Sequence, residues 1–154
     1  MPLIVLETRI AAPIERCFDL ARSVEAHVAS TGASGERPVG GVTSGLIGLG
    51  EEVTWEATHL GVRQRLTARI TRMDRPRSFT DEMVRGAFRS FVHTHCFREE
   101  GGETVMGDHF DYRAPLGPLG RLADRLFLER YMRRFLTERA ASLKAQAERV
   151  SARG

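Results

Sequence analysis

The sequence predicts an α+β domain: a curved antiparallel meander sheet of six to seven strands with two short helices and one long C-terminal helix packed on its concave face. Three observations predict it. Alternating segments follow one another across short breaks between residues 51 and 114, a stretch free of glycine and proline runs from Arg121 to about Val150, and a strand-like start leads straight into Pro13 and a helical pattern. Short links between long alternating segments mean consecutive antiparallel pairing. A meander with one solvated face must cover the other, and the last helix is the only predicted element long enough to do so.

Leu3 to Ile10 alternates as a strand, and Pro13 then supplies a preset φ at the first turn of a helix carrying Ile14, Cys17, Phe18 and Ala21 on one face. Ser23 is placed to cap a second short helix over Val24 to Ala29. Seven glycines between Ser30 and Gly50 mark a turning segment with room for a short strand near Pro38 to Leu46; no Lys-Ser or Lys-Thr follows them, which excludes a phosphate-binding loop. Strands are expected over Glu51 to Leu60, Val62 to Met73, Ser78 to Arg85, Ala87 to Arg98 and Glu103 to Ala114. Gly61, Asp74-Arg75-Pro76, Gly86 and Glu100-Gly101-Gly102 supply the turns between them. In the last helix Leu119, Leu122, Leu126, Met132, Leu136, Ala140, Leu143 and Ala147 share one broad sector of the helical wheel.

A chain of 154 residues, 42% hydrophobic and 28% charged, is the size and composition of one folded domain, expected over residues 1–150 with a tail at 151–154. The formal charge of +3 lies at the end of the chain: from Leu119 onward nine Lys or Arg face four Asp or Glu, against fourteen and sixteen before it. It is thus the property of one helix face and does not describe a nucleic-acid-binding surface. Cys17 and Cys96 read as reduced, buried small hydrophobes. The first residues lack a basic leader and a long apolar core, so a cytoplasmic protein without a membrane span is expected, as monomer or homodimer.

The run Ile10-Ala11-Ala12-Pro13-Ile14-Glu15-Arg16-Cys17-Phe18-Asp19-Leu20, followed by two short helices, a glycine-rich segment, a meander and a long helix, resembles the SRPBCC superfamily. These are START-like and polyketide-cyclase-like ligand-binding proteins with the helix-grip architecture of the birch pollen allergen. Ile10, Ala12, Pro13, Glu15, Phe18 and Leu20 match the opening signature. The resemblance implies a cavity between sheet and helix and no particular reaction, since the architecture serves carriers, receptors and cyclases alike. No cyclase's catalytic set is matched here.

Strand alternation selects the side chains that face such a cavity. Phe91, His93, His95 and Phe97 share one parity, as do Trp55 and His59, Gln64 and Leu66, Asp81 and Met83, and Asp108, Phe110 and Tyr112; from the last helix come Met132, Arg133 and Leu136. His59, His93, His95, Asp81 and Asp108 then lie among apolar groups, where histidine–carboxylate pairing is the remedy for lost hydration. Three uses stay open for this cluster. It can fix strand register, it can orient a ligand's polar end, or His93 and His95, two apart on a strand, can ligate a metal with His59 or Asp108. The first two are preferred, so no metal and no cofactor is expected.

The reading that follows is a protein that binds a small apolar or amphipathic molecule, lipid-like or polyketide-like. The alternative is a cyclase-, dehydratase- or hydrolase-like enzyme with His93 or His95 as general base oriented by Asp108. A further alternative is an interaction module using the basic outer face of the last helix, Arg125, Arg130 and Arg134.

Overall fold

A computed structural model describes residues 3–32 and 34–153 and their side chains as far as Arg149. Seven strands form one antiparallel sheet: β1 (Leu3–Ile10), β2 (Arg37–Gly41), β3 (Glu52–His59), β4 (Val62–Asp74), β5 (Ser78–Arg85), β6 (Ser90–Glu100) and β7 (Glu103–Arg113). Their order across the sheet is β1-β7-β6-β5-β4-β3-β2, so the meander runs unbroken from β2 to β7 and the first strand closes against the last. Between β1 and β2 lie α1 (Ile14–Ala21) and α2 (Val24–Ser30). Ser23 Oγ accepts from the Ala26 N–H at 3.2 Å, the expected cap of α2.

The expected long helix is three pieces: α3 (Gly117–Ala123), a π-helical turn (Asp124–Leu128) and α4 (Glu129–Arg153). The residues expected as a tail continue α4 as far as Arg153, and Gly154 lies outside the described residues. The wider turn rotates the preceding helical face away from the sheet. Leu119, Leu122 and Leu126, expected to face inward, are therefore 72%, 55% and 65% exposed. Met132, Leu136, Ala140, Leu143 and Ala147 keep the buried face of α4. The bend into α3 also requires glycine at 120, since a Cβ there would stand 1.5 Å from the Pro115 carbonyl oxygen.

The core has one filled end and one hollow end. At the filled end Phe18 of α1 packs edge-on against Phe79 and Phe97, with ring centroids 5.4 and 5.6 Å away, and Ala140, Leu143 and Ala147 close over them. This is the physical content of the opening signature: Phe18 seats α1 under the sheet. At the other end Phe91, Phe110, Met132 and Leu136 line the space beneath α4 without filling it, and Ile4 and Tyr112 pack in the same cluster. Both cysteines are free, Cys17 buried and Cys96 half-buried. No helix among the described residues is long and apolar enough to cross a membrane.

Candidate functional site

The hollow end encloses a cavity of about 300 Å³ between the concave face of β3–β7 and α4. Apolar side chains make most of its wall: Trp55, Leu66, Phe88, Phe91, Phe110, Met132, Phe135 and Leu136. The inward parity read from the strands places Trp55, His59, Gln64, Leu66, Asp81, Phe91, His93 and Phe110 on this wall, with Met132 and Leu136 from the helix.

Six expected residues stand elsewhere. Phe97 belongs to the filled end, where Phe18 occupies the space a ligand would need. Met83 packs against the hollow-end cluster and does not reach the wall. Tyr112 is fully buried and directs its hydroxyl to the buried Asp124, pinning the π-helical turn to β7. Asp108 lies against the two imidazoles of His93 and His95, off the wall, and His95 borders a smaller recess shared with Arg22, Phe79 and Arg139. Arg133 follows cavity-facing Met132 by one residue, about 100° around the helix. It therefore points out, half-exposed, 3.7 Å from Glu129.

Two polar groupings meet the cavity. The first divides the filled from the hollow end of the core. His93 Nε2 donates to Asp108 Oδ1 at 2.9 Å and His95 Nε2 to Asp81 Oδ1 at 3.0 Å. His95 Nδ1 lies 3.3 Å from the same Asp108 oxygen, at ion-pair distance but out of line for a hydrogen bond, which leaves that nitrogen without one. The imidazoles pack at 3.9 Å between centroids, His95 stacks on Phe79 and His93 stands edge-on to Phe110. Burial and then the neighbouring His95 hold His93 below its usual pKa. Burial opposes charge on His95 as well, but the facing carboxylates of Asp108 and Asp81 outweigh it and carry that pKa upward. Burial raises Asp108 and Asp81, and their histidine partners more than reverse it, so both remain ionised. Two carboxylates thus face one favoured imidazolium and the nearby Arg139, which together balance them. Asp81, His93 and His95 bring potential ligand atoms within 4.8 Å of one another, and they could hold a metal ion only by giving up the imidazole hydrogens that now make these pairs. His59, considered as a ligand completing such a site, belongs to the other grouping.

The second grouping was not legible as a unit in the sequence. Glu36, in the glycine-rich segment before β2, bonds His27 of α2 through Oε2, while Oε1 lies 3.4 Å from His59 Nε2. His59 Nδ1 in turn meets the Tyr131 hydroxyl at 2.6 Å. His27 stacks on Trp55 with centroids 4.1 Å apart, and the His59 ring stands edge-on between Tyr131 and Phe135, one turn apart on α4. Burial would raise Glu36, yet His27 and His59 hold it down at about 2. Burial, then the charge of Arg139, lowers His27, so it meets Glu36 as a neutral donor. His59 ends β3 at a two-residue turn whose residues, Leu60 and Gly61, have φ of 52° and 78°. Both positive values suit the tight hairpin, and for leucine such a φ is strained. That exposed Leu60 stands at the cavity's mouth.

Arg139 is the arginine that reaches the cavity: Nη2 donates to the Ala21 carbonyl at 3.2 Å, and Nε is buried without a hydrogen bond. On the outer face of α4, Arg134 is tied to Glu138 at 3.0 Å, which neutralises part of the basic surface expected there.

The family model for polyketide cyclase / dehydrase and lipid transport matches residues 1–148, and the chain belongs to that family. Solved structures with the same fold include TTHA0849 from Thermus thermophilus, 20% identical, covering 97% of this chain and 99% of that one with a TM-score of 0.79. A START superfamily protein from Mycobacterium smegmatis is 13% identical over 96% of this chain and 98% of its own, with a TM-score of 0.70. The ginseng major latex-like protein 151 from Panax ginseng is 19% identical over 95% and 97%, with a TM-score of 0.65. No curated protein matches the sequence.

Proposed function

We propose that the chain binds a small apolar or amphipathic molecule, lipid-like or polyketide-like, within the cavity between sheet and α4. The observation that carries this reading is the wall itself. A space of about 300 Å³ is lined mostly by aromatic and aliphatic groups, with His59, Tyr131 and Glu36 forming one polar grouping on the wall and Asp81 and His93 belonging to the other. That combination fits a ligand with an apolar body and one oxygen-bearing end, since pockets pair an apolar lining with a few placed polar groups. The volume suits a compact ring system or a medium-length acyl chain. Family membership supports the same class of ligand.

Trp55, the only tryptophan, lies on the wall and supplies the test. Titration with anilinonaphthalene sulfonate and with fatty acids of graded length should change its emission saturably, at one site per chain. Replacing Ala57, also on the wall, by Phe should abolish the change while the circular dichroism spectrum is kept. Identical titrations for the native chain and Ala57→Phe would place binding elsewhere and refute the reading.

A further inference from the structure

We propose that Tyr131, His59 and Glu36 form a proton relay that abstracts a proton from a carbonyl compound bound in the cavity, a proposal that rests on the binding reading above. A carboxylate can only accept, so with Glu36 facing it, His59 Nε2 carries the hydrogen and Nδ1 presents its lone pair. The Tyr131 hydroxyl, 2.6 Å from Nδ1, is then the donor of that bond. Its oxygen keeps a lone pair for the ligand, and both rings stand on the cavity wall. The arrangement has the logic of a nucleophile–base–carboxylate triad: an acid–base group held by an imidazole, the imidazole's tautomer fixed by an anion. Phe135 and Tyr131 hold the imidazole edge-on from one side, and His27 holds the second carboxylate oxygen.

His93 and His95 are unsuited to the same work. They are 4% and 2% exposed, and each commits Nε2 to a buried aspartate. Although His93 forms part of the wall, its proton exchange partner is Asp108 and not the ligand. Preference for a histidine flanked by carboxylates pointed the sequence reading at this pair; the accessible base is His59, in the other polar grouping.

In the step itself, the ligand's C–H bond beside its carbonyl breaks and the electron pair stays on the ligand as an enolate. The proton passes to the Tyr131 oxygen while the tyrosine's own proton passes to His59 Nδ1, giving an imidazolium that faces the Glu36 carboxylate. Return of the proton to a neighbouring atom completes an isomerisation. Delivery to a departing β-hydroxyl, with expulsion of water, completes a dehydration, and neither outcome needs another reactant.

The test uses nitrobenzisoxazole, a neutral apolar carbon acid that opens to a coloured cyanophenolate when a base removes its ring proton. Binding is followed by Trp55 emission and turnover by absorbance. The native chain should bind the probe and open it; His59→Gln, Tyr131→Phe and Glu36→Gln should each lower kcat at least tenfold with KM little changed, as positioned acid–base catalysis is typically a factor of about 100 to 10,000. Arg133→Gln, on the half-exposed outer side of α4, should match the native chain. Tyr131→Phe removes one partly accessible oxygen and keeps the ring, so its effect is separable from a folding defect. Binding without loss of rate in these three variants would overturn the relay and leave the binding reading intact, as would a rate lost only in a His93→Gln or His95→Gln variant. Full activity in Tyr131→Phe with loss in His59→Gln would overturn transfer through the phenol. Absence of probe binding would refute both readings together.

Discussion

Replacing Glu36 by Gln should remove an acid-sensitive part of the protein's stability. Its carboxyl falls from 4.5 to about 2 in the folded chain, in spite of near-complete burial, because His27 and His59 both face it. A depression of that size corresponds to about 3 kcal/mol at 1.36 kcal/mol per unit. For a carboxylate with a lowered folded pKa, the contribution is fully present above the unfolded value and is lost as pH falls through the window from 4.5 to about 2. Urea unfolding followed by Trp55 emission at pH 7, 5, 4, 3 and 2 gives the free energy for both proteins. At pH 7 Glu36→Gln should be less stable by up to about 3 kcal/mol, and the gap should close toward zero at the acid end, where the native carboxyl is also neutral. The titrating groups that do not touch Glu36 are common to both chains and cancel in the difference, which leaves only His27 and His59 coupled to the change. A gap that stays constant across the series would show that the glutamine perturbs packing alone and that the two imidazoles do not hold the Glu36 carboxylate in its ionised form.

Asp108→Ala should cost about 3–5 kcal/mol, because it strips His93 and the favoured imidazolium of His95 of a shared carboxylate in the interior; chemical denaturation measures it, and a loss below about 1 kcal/mol would contradict the buried network. Leu126→Ser, by contrast, should change stability by no more than about 0.5 kcal/mol, since the side chain is outside the core. A large loss there would mean that the helix before the π-helical turn packs inward after all.

Much of the fold could be read because its signals are local. The breaks at Gly61 and Glu100-Gly101-Gly102 and the proline at 13 are properties of a few adjacent residues, and alternation in Phe91, His93, His95 and Phe97 decides a face without knowledge of the partner strand. The pairing of His93 with Asp108 follows from burial on one parity and the register of β6 with β7, which opposes His95 to Asp108 and His93 to Phe110. Glu36 carries no such signal. It sits among glycines with no periodicity, and only the closure of β2 on β3 brings it to His59. Tyr131 was hidden for a different reason: the wheel drawn through Leu119 assumed an unbroken α-helix, whose phase the π-helical turn resets. With the phase set from Met132 and Leu136 alone, Tyr131 and Phe135 fall beside them as flanking residues of the cavity-facing stripe. The aromatic at 97 was misassigned because parity gives a face, while only tertiary packing says whether that part of the face is occupied.

The π-helical turn at Asp124–Leu128 is equivalent in length to one residue added to an ordinary helix. Shortening the chain by one residue within it would restore an even α-helical spiral and swing α3 by about 100° relative to α4. Substitutions in α3 change one side chain at a time, whereas that single deletion would exchange the whole set of groups presented beside Pro115 and Leu128 at the cavity's mouth. Helix length at this point thus sets the shape of the entrance independently of the sheet and the chamber behind it.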